Sequence, residues 1–310
     1  MLDIRCVFMG TPQIAATVLS SMLEAGIKID LVVSQPDKKV GRKQKIVYSP
    51  VKQVAVDHEI ECFQPVRIKE DHQRILDLKP DLIVTCAYGQ IIPEDLLNAP
   101  RFGCVNLHGS ILPKYRGGAP IQRAIWNGDK ESGMSLMKMA KRMDAGPVLA
   151  IEKVKIESQD NSTSVFEKMG LAASKLILDN FELICSDQAH YVEQDEDKVV
   201  FAPVITKQEE KIDFSKDDIE ILNQIRALSF TPGAYGLIKN KKLKLLEATY
   251  QKEPVKQPLE ILGLRDNRFV ISLHEGVLLV SKLQMEGKPV MQAKDFFNGQ
   301  GRNMVGQIIE

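Results

Sequence analysis

The feature that most constrains the fold is an alternation of short apolar runs with helix-forming segments along the first half of the chain. Apolar, β-branched runs occupy residues 4–8, 81–86 and Cys104–His108, whereas residues 12–25 and 164–184 have the composition and spacing of helices. Parallel strands require crossover connections, which are usually helical. The alternation therefore predicts an α/β fold with a mostly parallel, Rossmann-like sheet and helices on both faces.

The second half of the chain has a different pattern. Residues 186–211 are polar and carry consecutive acidic side chains, which is typical of a linker, and a helix is predicted over residues 217–228. Short apolar runs then follow at residues 234–238, 243–248, 259–263, 269–273 and 277–283. We predict three parts: a Rossmann-like domain (1–187), a linker (188–208) and a smaller, OB-like β-barrel domain (209–310).

Composition excludes several classes of protein. Lys plus Arg and Asp plus Glu both number 41, so the formal net charge is zero, and affinity for a nucleic acid would have to come from local charge placement. The five cysteines contain no CxxC pair, which favours reduced, buried thiols over a disulfide framework or zinc site.

The start of the chain lacks the pattern of a signal peptide, and no apolar run approaches the ~18 residues that cross a bilayer. We expect a cytoplasmic protein without a membrane partner.

Polar side chains that could perform chemistry follow the predicted strands. Neither GxGxxG nor GxxxxGK[ST] is present, so a dinucleotide or P-loop enzyme has little support. Asn106 and His108 are two apart on one strand end and therefore point to the same face. Histidine titrates near neutrality and asparagine can donate to a developing oxyanion. Asp144, in the segment MDAG, could orient His108. The alternatives are a strand-end histidine bonded to backbone and an ordinary turn aspartate.

Several longer motifs resemble those of one family. VNLHGSILPKYRGGAP followed by MDAG is similar to the signature of the folate-dependent formyltransferases. The segments VFMGTPQIA, SQPDKKVGRKQKI, PDLIVTCAYGQIIP and PIQRAIWNGDKESGMSLM resemble the branch that acts on initiator methionyl-tRNA. The resemblance is dense over residues 4–155 and looser, but colinear, to the end. One departure lies at residues 228–233, LSFTPG, where the family usually has a Trp-Pro run.

The resemblance implies an enzyme and its site. The reaction would be transfer of the formyl group of 10-formyltetrahydrofolate to the α-amino group of methionyl-initiator tRNA, in a monomer. The catalytic residues would be Asn106, His108 and Asp144. The folate would lie against Ser110, Ile111, Leu112, Pro113, Tyr88, Gly89 and Ile91; for Tyr88 and Ile91 the alternative is core packing. No metal is expected, because His, Cys and carboxylate side chains do not cluster in the motifs.

The proposed tRNA contacts are basic residues between the second predicted strand and the following helix. They are Arg42, Lys43, Lys39 and Lys45, in a segment marked as a loop by Pro36 and Gly41. Phosphate contacts supply most non-specific affinity for nucleic acids, although lysines also simply solubilise loops. A second basic group, Lys239, Lys241, Lys242 and Lys244, is as compatible with guarding a strand edge as with binding RNA.

Other functions remain open at the level of the sequence. An enzyme with the same three catalytic residues could formylate a glycinamide nucleotide or an amino-sugar nucleotide. A hydrolase could release formate from the same folate, and an RNA-binding module would need no catalytic residues at all. The basic loop and the C-terminal domain favour the tRNA substrate over the glycinamide nucleotide.

Overall fold

The chain forms two compact units in a computed structural model that describes residues 4–40 and 44–310, with only the backbone described at residues 39 and 40. The first unit contains the residues up to Gly117 together with Ser132–Lys155 and Phe166–Ala202. The second contains Gly118–Glu131, Ile156–Val165 and Pro203–Glu310. Two short segments from the N-terminal half of the chain thus belong to the second unit.

The first unit is built on a mostly parallel sheet. Its strands are β1 (Cys6–Gly10), β2 (Leu31–Val33), β5 (Cys62–Phe63), β6 (Leu82–Cys86), β7 (Cys104–His108), β8 (Glu131–Lys138) and β9 (Val148–Lys155), with a separate hairpin of β3 (Lys38–Val40) and β4 (Lys45–Val47). The described residues place the seven sheet strands in the order β5-β2-β1-β6-β7-β8-β9. The first five strands in this order, β5, β2, β1, β6 and β7, run parallel to one another, and β8 runs antiparallel to β7. The predicted mostly parallel sheet is confirmed.

Helices flank this sheet because one face of each is apolar. They are α1 (Gln13–Glu24), α2 (Pro50–Asp57), α3 (Ile68–Asp71), α4 (Gln73–Asp77), α5 (Glu94–Asn98) and α7 (Ser162–Cys185), whose first four residues belong to the second unit. Helix α6 (Pro120–Trp126) lies entirely in the second unit. In α1, Ile14, Val18 and Met22 are four apart and buried. Helix α2 begins where Ser49 accepts a hydrogen bond from the backbone N–H of Lys52, as expected for a helix cap.

The second unit contains an antiparallel sheet and a helical cover. Its elements are α8 (Asp218–Ala227), β10 (Tyr235–Ile238), β11 (Lys241–Lys252), β12 (Ile261–Arg265), β13 (Arg268–Ser272), β14 (Gly276–Met285), β15 (Met291–Gln292) and α9 (Ala293–Gly299). The strands pair in the order β10-β11-β14-β13-β12, and β15 adds to β14. Ile221 and Ile225 of α8 pack into the same apolar core as Phe269 and Phe296. The predicted smaller antiparallel domain is confirmed.

Several details differ from the sequence expectations. Strands β5 and β9 and helices α3, α4 and α5 were not predicted, and the basic segment predicted as a loop contributes the β3–β4 hairpin. In residues 228–233, which depart from the family's Trp-Pro run, Leu228 is buried in the core of the second unit, against which Trp126 also packs. None of the described helices is both long enough and apolar enough to cross a membrane.

Candidate active site

Two of the predicted catalytic residues lie at the carboxyl end of β7, in the middle of the sheet. Asn106 pairs with Thr85 of β6, and His108 pairs with Ser135 of β8. The side chain of His108 is only 6% exposed, whereas Asn106 is half-buried. Ligands of open parallel sheets bind beyond the carboxyl ends of the strands, so these two side chains occupy the expected edge.

The structure brings the third predicted catalytic residue beside His108. The Nδ1 atom of His108 lies 3.6 Å from Oδ1 of Asp144, and the Nε2 atom of His108 lies 2.9 Å from the carbonyl oxygen of Tyr115. Because a carbonyl oxygen only accepts, Nε2 is the donor in that contact. Nδ1 is therefore the ring nitrogen that faces the carboxylate. The 3.6 Å separation is longer than a hydrogen bond, so the two groups are close neighbours without a direct hydrogen bond.

Asp144 occupies a strained turn that other residues hold in place. Its φ is +51°, in the left-handed region, and its Oδ2 accepts a hydrogen bond from the backbone N–H of Gly117 at 2.9 Å. A side chain at Gly146 would collide with the carbonyl group of Lys138, so this turn requires glycine two residues after Asp144. The MDAG segment thus places the carboxylate through its backbone conformation.

A hydrogen-bonded chain of polar side chains supports the same turn. Gln194 donates from Nε2 to the carbonyl oxygens of Asp144 and Gly146, at 2.9 and 2.7 Å. Its Oε1 accepts from Nε of Arg116 at 3.0 Å, and Arg116 is paired with Glu196 at 2.8 Å. Arg116 is 2% exposed, so these partners compensate a charge that is buried.

Neither Gln194 nor Arg116 was predicted as part of the site. Gln194 falls within the segment predicted as a linker (188–208), although residues up to Ala202 belong to the first unit. Arg116 stands in the KYRGG stretch of the signature, and only its proximity to the catalytic motif could have drawn attention to it. Hydrogen bonds from Arg116, and next from Arg142, hold the pKa of Glu196 below its usual value.

The predicted folate-binding turn is anchored to β8. The hydroxyl group of Ser135 donates to the carbonyl oxygen of Ser110 at 2.6 Å and accepts from the backbone N–H of Leu112 at 3.1 Å. The Leu112–Pro113 peptide bond is cis. Ile111 and Pro113 are half-buried, and Ile111 lies above Gly133, where a Cβ would come within 3.1 Å of its side chain.

A second predicted folate segment follows β6. The carbonyl oxygen of Tyr88 accepts hydrogen bonds from Thr11 Oγ1 and Gln35 Nε2, at 3.1 and 3.2 Å. Tyr88 is buried in the core of the sheet, and this burial raises the pKa of its hydroxyl to about 12. Gly89 adopts a φ of +90°, and Ile91 is 76% exposed. The side chain of Tyr88 is therefore packed in the core, whereas that of Ile91 is not.

Two buried hydroxyl groups near these segments have no hydrogen-bond partner among the described residues. They are Oγ of Ser110 and the phenolic oxygen of Tyr88. Buried polar atoms are rarely left unpaired in native proteins, so each requires an explanation such as water or a ligand. In the described ranges, His, Cys, Asp and Glu side chains do not form a group of three or more that could hold a metal ion.

The predicted tRNA-contacting residues are only partly described. Arg42 and Lys43 lie outside the described residues, and Lys39 is described only by its backbone, which pairs with Ile46. Lys45, on β4, is exposed. The base of this hairpin is held by Lys52, whose Nζ lies 2.5 Å from Asp37 and 2.7 Å from Gln64. The hairpin is thus tied to α2 at its base.

Comparison with known proteins agrees with the motifs. The formyl transferase family matches residues 4–180, and the formyl transferase C-terminal domain matches residues 204–301. A methionyl-tRNA formyltransferase from Malacoplasma penetrans is 43% identical over 307 residues, covering 99% of this chain and 96% of the relative. The chain belongs to the methionyl-tRNA formyltransferase family. Another member, from Lactobacillus delbrueckii subsp. bulgaricus, is 44% identical over 299 residues, covering 96% of this chain and 95% of its own length.

Solved structures with the same fold are more distant from this family member. HypX from Aquifex aeolicus in complex with tetrahydrofolic acid has a TM-score of 0.70 at 18% identity; it matches 97% of this chain, which spans 48% of HypX. An N-formyltransferase from Helicobacter canadensis, in complex with folinic acid and dTDP-3-aminofucose, has a TM-score of 0.67 at 21% identity, covering 89% of this chain and 99% of its own. At these identities the similarity shows a shared fold.

Proposed function

We propose that this chain transfers the formyl group of 10-formyltetrahydrofolate to the α-amino group of initiator methionyl-tRNA, producing N-formylmethionyl-tRNA and tetrahydrofolate. The observation that supports the proposal is the approach of His108 to Asp144, with 3.6 Å between the imidazole and the carboxylate, and the position of Asn106 two residues before His108 on the same strand. Family membership supplies the substrates, since the relatives are named for this reaction. All three side chains come from one chain, so we propose that a monomer is sufficient for catalysis. We also propose that the enzyme acts in the cytoplasm.

The residues around the predicted folate site fit a ligand with polar groups. Ser110 and Tyr88 each carry a buried hydroxyl group that has no partner among the described residues. We propose that the turn from Ser110 to Pro113 and the loop with Tyr88, Gly89 and Ile91 hold the folate. When bound, 10-formyltetrahydrofolate supplies the formyl carbon that the amine attacks.

The side chains of the site have separate roles in this proposal. Attack by the amine places negative charge on the formyl oxygen, and Nδ2 of Asn106 donates a hydrogen bond to it. The attacking amine has an unperturbed pKa of about 8 and must lose a proton to react. Asp144 and Nδ1 of His108 form the pair that accepts the proton. The same pair would return the proton to N10 of the folate as the bond between that nitrogen and the formyl carbon breaks and tetrahydrofolate leaves. Preorganised groups of this type need little rearrangement during the reaction, which is why they are effective.

The acceptor tRNA would be held by the basic hairpin. We propose that Arg42, Lys43, Lys39 and Lys45 contact phosphates of the acceptor arm. Phosphate contacts orient nucleic acids without reading their sequence, so this hairpin accounts for affinity rather than for selection of the initiator.

A single-turnover assay with charged initiator tRNA tests the function. We expect wild-type enzyme to block the methionyl amine. Asn106→Ala should slow this step by roughly 10²–10³-fold, as for loss of an oxyanion donor. Asp144→Asn and His108→Ala should slow it by roughly 10²–10⁴-fold, as for loss of a general acid or base. Circular dichroism checks that each variant is folded.

The same assay separates the alternative functions. Formate release without tRNA would identify a hydrolase, and transfer to an amino-sugar nucleotide but not to tRNA would identify a sugar enzyme. Folded Asn106→Ala and His108→Ala proteins with near-normal single-turnover rates would refute the catalytic assignments.

A further inference from the structure

One buried hydroxyl group lies directly behind the proposed oxyanion donor. Thr85, on β6, pairs with Asn106 in the parallel ladder between β6 and β7 and is 2% exposed. Its Oγ1 lies 2.8 Å from Oδ1 of Asn106, 3.1 Å from the carbonyl oxygen of Val105 and 3.4 Å from Sδ of Met139. A hydroxyl group has a single proton to donate. The nearest acceptor is the amide oxygen of Asn106, and the thioether sulfur is an intrinsically weak one.

This contact holds the amide of Asn106 in place. The side-chain amide has an accepting oxygen on one side and a donating NH₂ group on the other. When Oδ1 accepts from Thr85, Nδ2 points away from β6 and is available to a reacting group. In a reversed amide Nδ2 would donate to Oγ1 of Thr85, and the hydroxyl proton would pass to the carbonyl oxygen of Val105 at 3.1 Å. The hydroxyl group of Thr85 therefore fixes the side chain of Asn106 by one hydrogen bond in either orientation.

We infer that Thr85 is a positioning residue that anchors the side-chain amide of Asn106 during formyl transfer. The inference rests on the proposed function, in which Nδ2 stabilises the negative charge on that oxygen. Thr85 itself touches no substrate. Its contribution passes entirely through Asn106, and this distinguishes it from a residue that only stabilises the sheet.

A double-mutant cycle measures this dependence. Thr85→Val keeps the shape and the β-branched side chain but removes the hydroxyl group, whereas Thr85→Ser keeps the hydroxyl group. Single-turnover formyl transfer is measured for Thr85→Val, Thr85→Ser, Asn106→Ala and the Thr85→Val/Asn106→Ala double variant. Because neighbouring residues couple when one acts through the other, the effect of Thr85→Val should depend on the presence of Asn106.

The expected pattern is specific. Thr85→Val should lower the single-turnover rate about tenfold, as expected for loss of one buried hydrogen bond. The KM values for folate and tRNA should stay within about twofold of the wild-type values, because the contact acts on the transition state and not on the binding of the substrates. Thr85→Ser should retain most of the activity. In the Asn106→Ala background, Thr85→Val should change the rate by less than about twofold.

Ser174 provides a matched control. Its buried hydroxyl group donates to the carbonyl oxygen of Gly170 at 3.0 Å inside α7. Ser174→Ala should alter the thermal midpoint without altering the rate. If Thr85→Val does not fold, Thr85→Ala replaces it and must give the same pattern.

Two results would overturn the inference. One is a Thr85→Val enzyme with the wild-type rate while Asn106→Ala is impaired. The other is an equal slowing by Thr85→Val with and without Asn106. If instead Asn106→Ala is as fast as wild type, or the wild-type enzyme does not formylate charged tRNA, the proposed function fails and the role of Thr85 fails with it.

Discussion

Replacement of Gln194 offers a strict test of how the Asp144 turn is held. Gln194→Ala removes both donors that bond to the carbonyl oxygens of Asp144 and Gly146, and it leaves Nε of Arg116 without this acceptor. Gln194 makes no contact with the carboxylate itself; the hydrogen bond from the Gly117 N–H to Oδ2 of Asp144 is kept. The substitution therefore perturbs the conformation of the turn rather than the chemistry of the acid.

The size of the effect follows from the hydrogen bonds and the backbone. Two neutral hydrogen bonds contribute about 1 kcal/mol each to stability. A non-glycine residue in the left-handed region, such as Asp144 at φ +51°, carries a strain of about 1–3 kcal/mol that its surroundings must oppose. Losing about 2 kcal/mol of support would let the turn relax in a large fraction of molecules. Since 1.4 kcal/mol is a factor of ten, the single-turnover rate should fall by roughly 5–30-fold.

The assay compares three variants with wild type. Gln194→Glu retains the acceptor for Arg116 but, when ionised, has no donor, so it isolates the loss of the two carbonyl contacts. Gln224→Ala is the matched control in the second unit, because Gln224 donates in the same manner to the carbonyl oxygens of Glu209 and Lys211, each at 2.9 Å. Each variant is measured for single-turnover rate and for unfolding in urea.

Only one combination of outcomes supports the reasoning. Gln194→Ala and Gln194→Glu should lose rate, and Gln194→Ala and Gln224→Ala should each lose roughly 1–2 kcal/mol of unfolding free energy, with the rate of Gln224→Ala preserved. If Gln194→Ala lost stability as Gln224→Ala does but kept the wild-type rate, Gln194 would be structural and the turn would not depend on it.

Three further outcomes are expected. Arg42→Ala should weaken tRNA use and reduce the slope of log affinity against log salt by about 1, and an unchanged salt titration would remove the hairpin from the tRNA interface. Hydrogen bonds from Arg123 lower the pKa of Glu209 from 4.5 to about 2. The stability advantage of wild type over Glu209→Gln should therefore be complete above pH 4.5 and disappear as the pH falls towards 2, which urea unfolding across that range measures. Gly146→Ala should abolish activity at a temperature where wild type is folded, because the new Cβ meets the carbonyl group of Lys138, and normal kinetics would contradict the geometry of the turn.

The elements that were predicted correctly have a strong local signal. Strand β7 alternates apolar residues with Asn106 and His108 between turns, and α2 begins at a serine cap followed by proline. Strand β9 was missed because its sequence, VLAIEKVK, mixes apolar and charged residues and only Val154 is fully buried. The β3–β4 hairpin was missed for a related reason: the described side chains of β4 are exposed, so no buried face imposes a period on the sequence.

The residues of the site also fall into two groups: those with a local sequence signal, and those whose role depends on contacts with distant parts of the chain. Asn106 and His108 were predictable because their spacing on a strand brings them to one face, and Asp144 because it stands in a recognisable motif. Gln194 was not predictable, since its partners are backbone carbonyl groups, which every residue has. Thr85 was read only as a member of a buried strand, and its contact with Asn106 depends on the register between β6 and β7. The boundaries at residues 187 and 208 and the roles of the individual site residues remain predictions.

The three proposed catalytic side chains differ in how firmly they are held. Asn106 and His108 lie on a strand that is hydrogen-bonded on both sides, to β6 and to β8. Asp144 lies in a turn whose left-handed backbone is held by Gln194, a residue fifty positions later in the chain. Regular sheet resists local opening better than loops do. Substitutions outside the site should therefore reach the chemistry mainly by displacing the carboxylate of Asp144, and only rarely by displacing the amide or the imidazole.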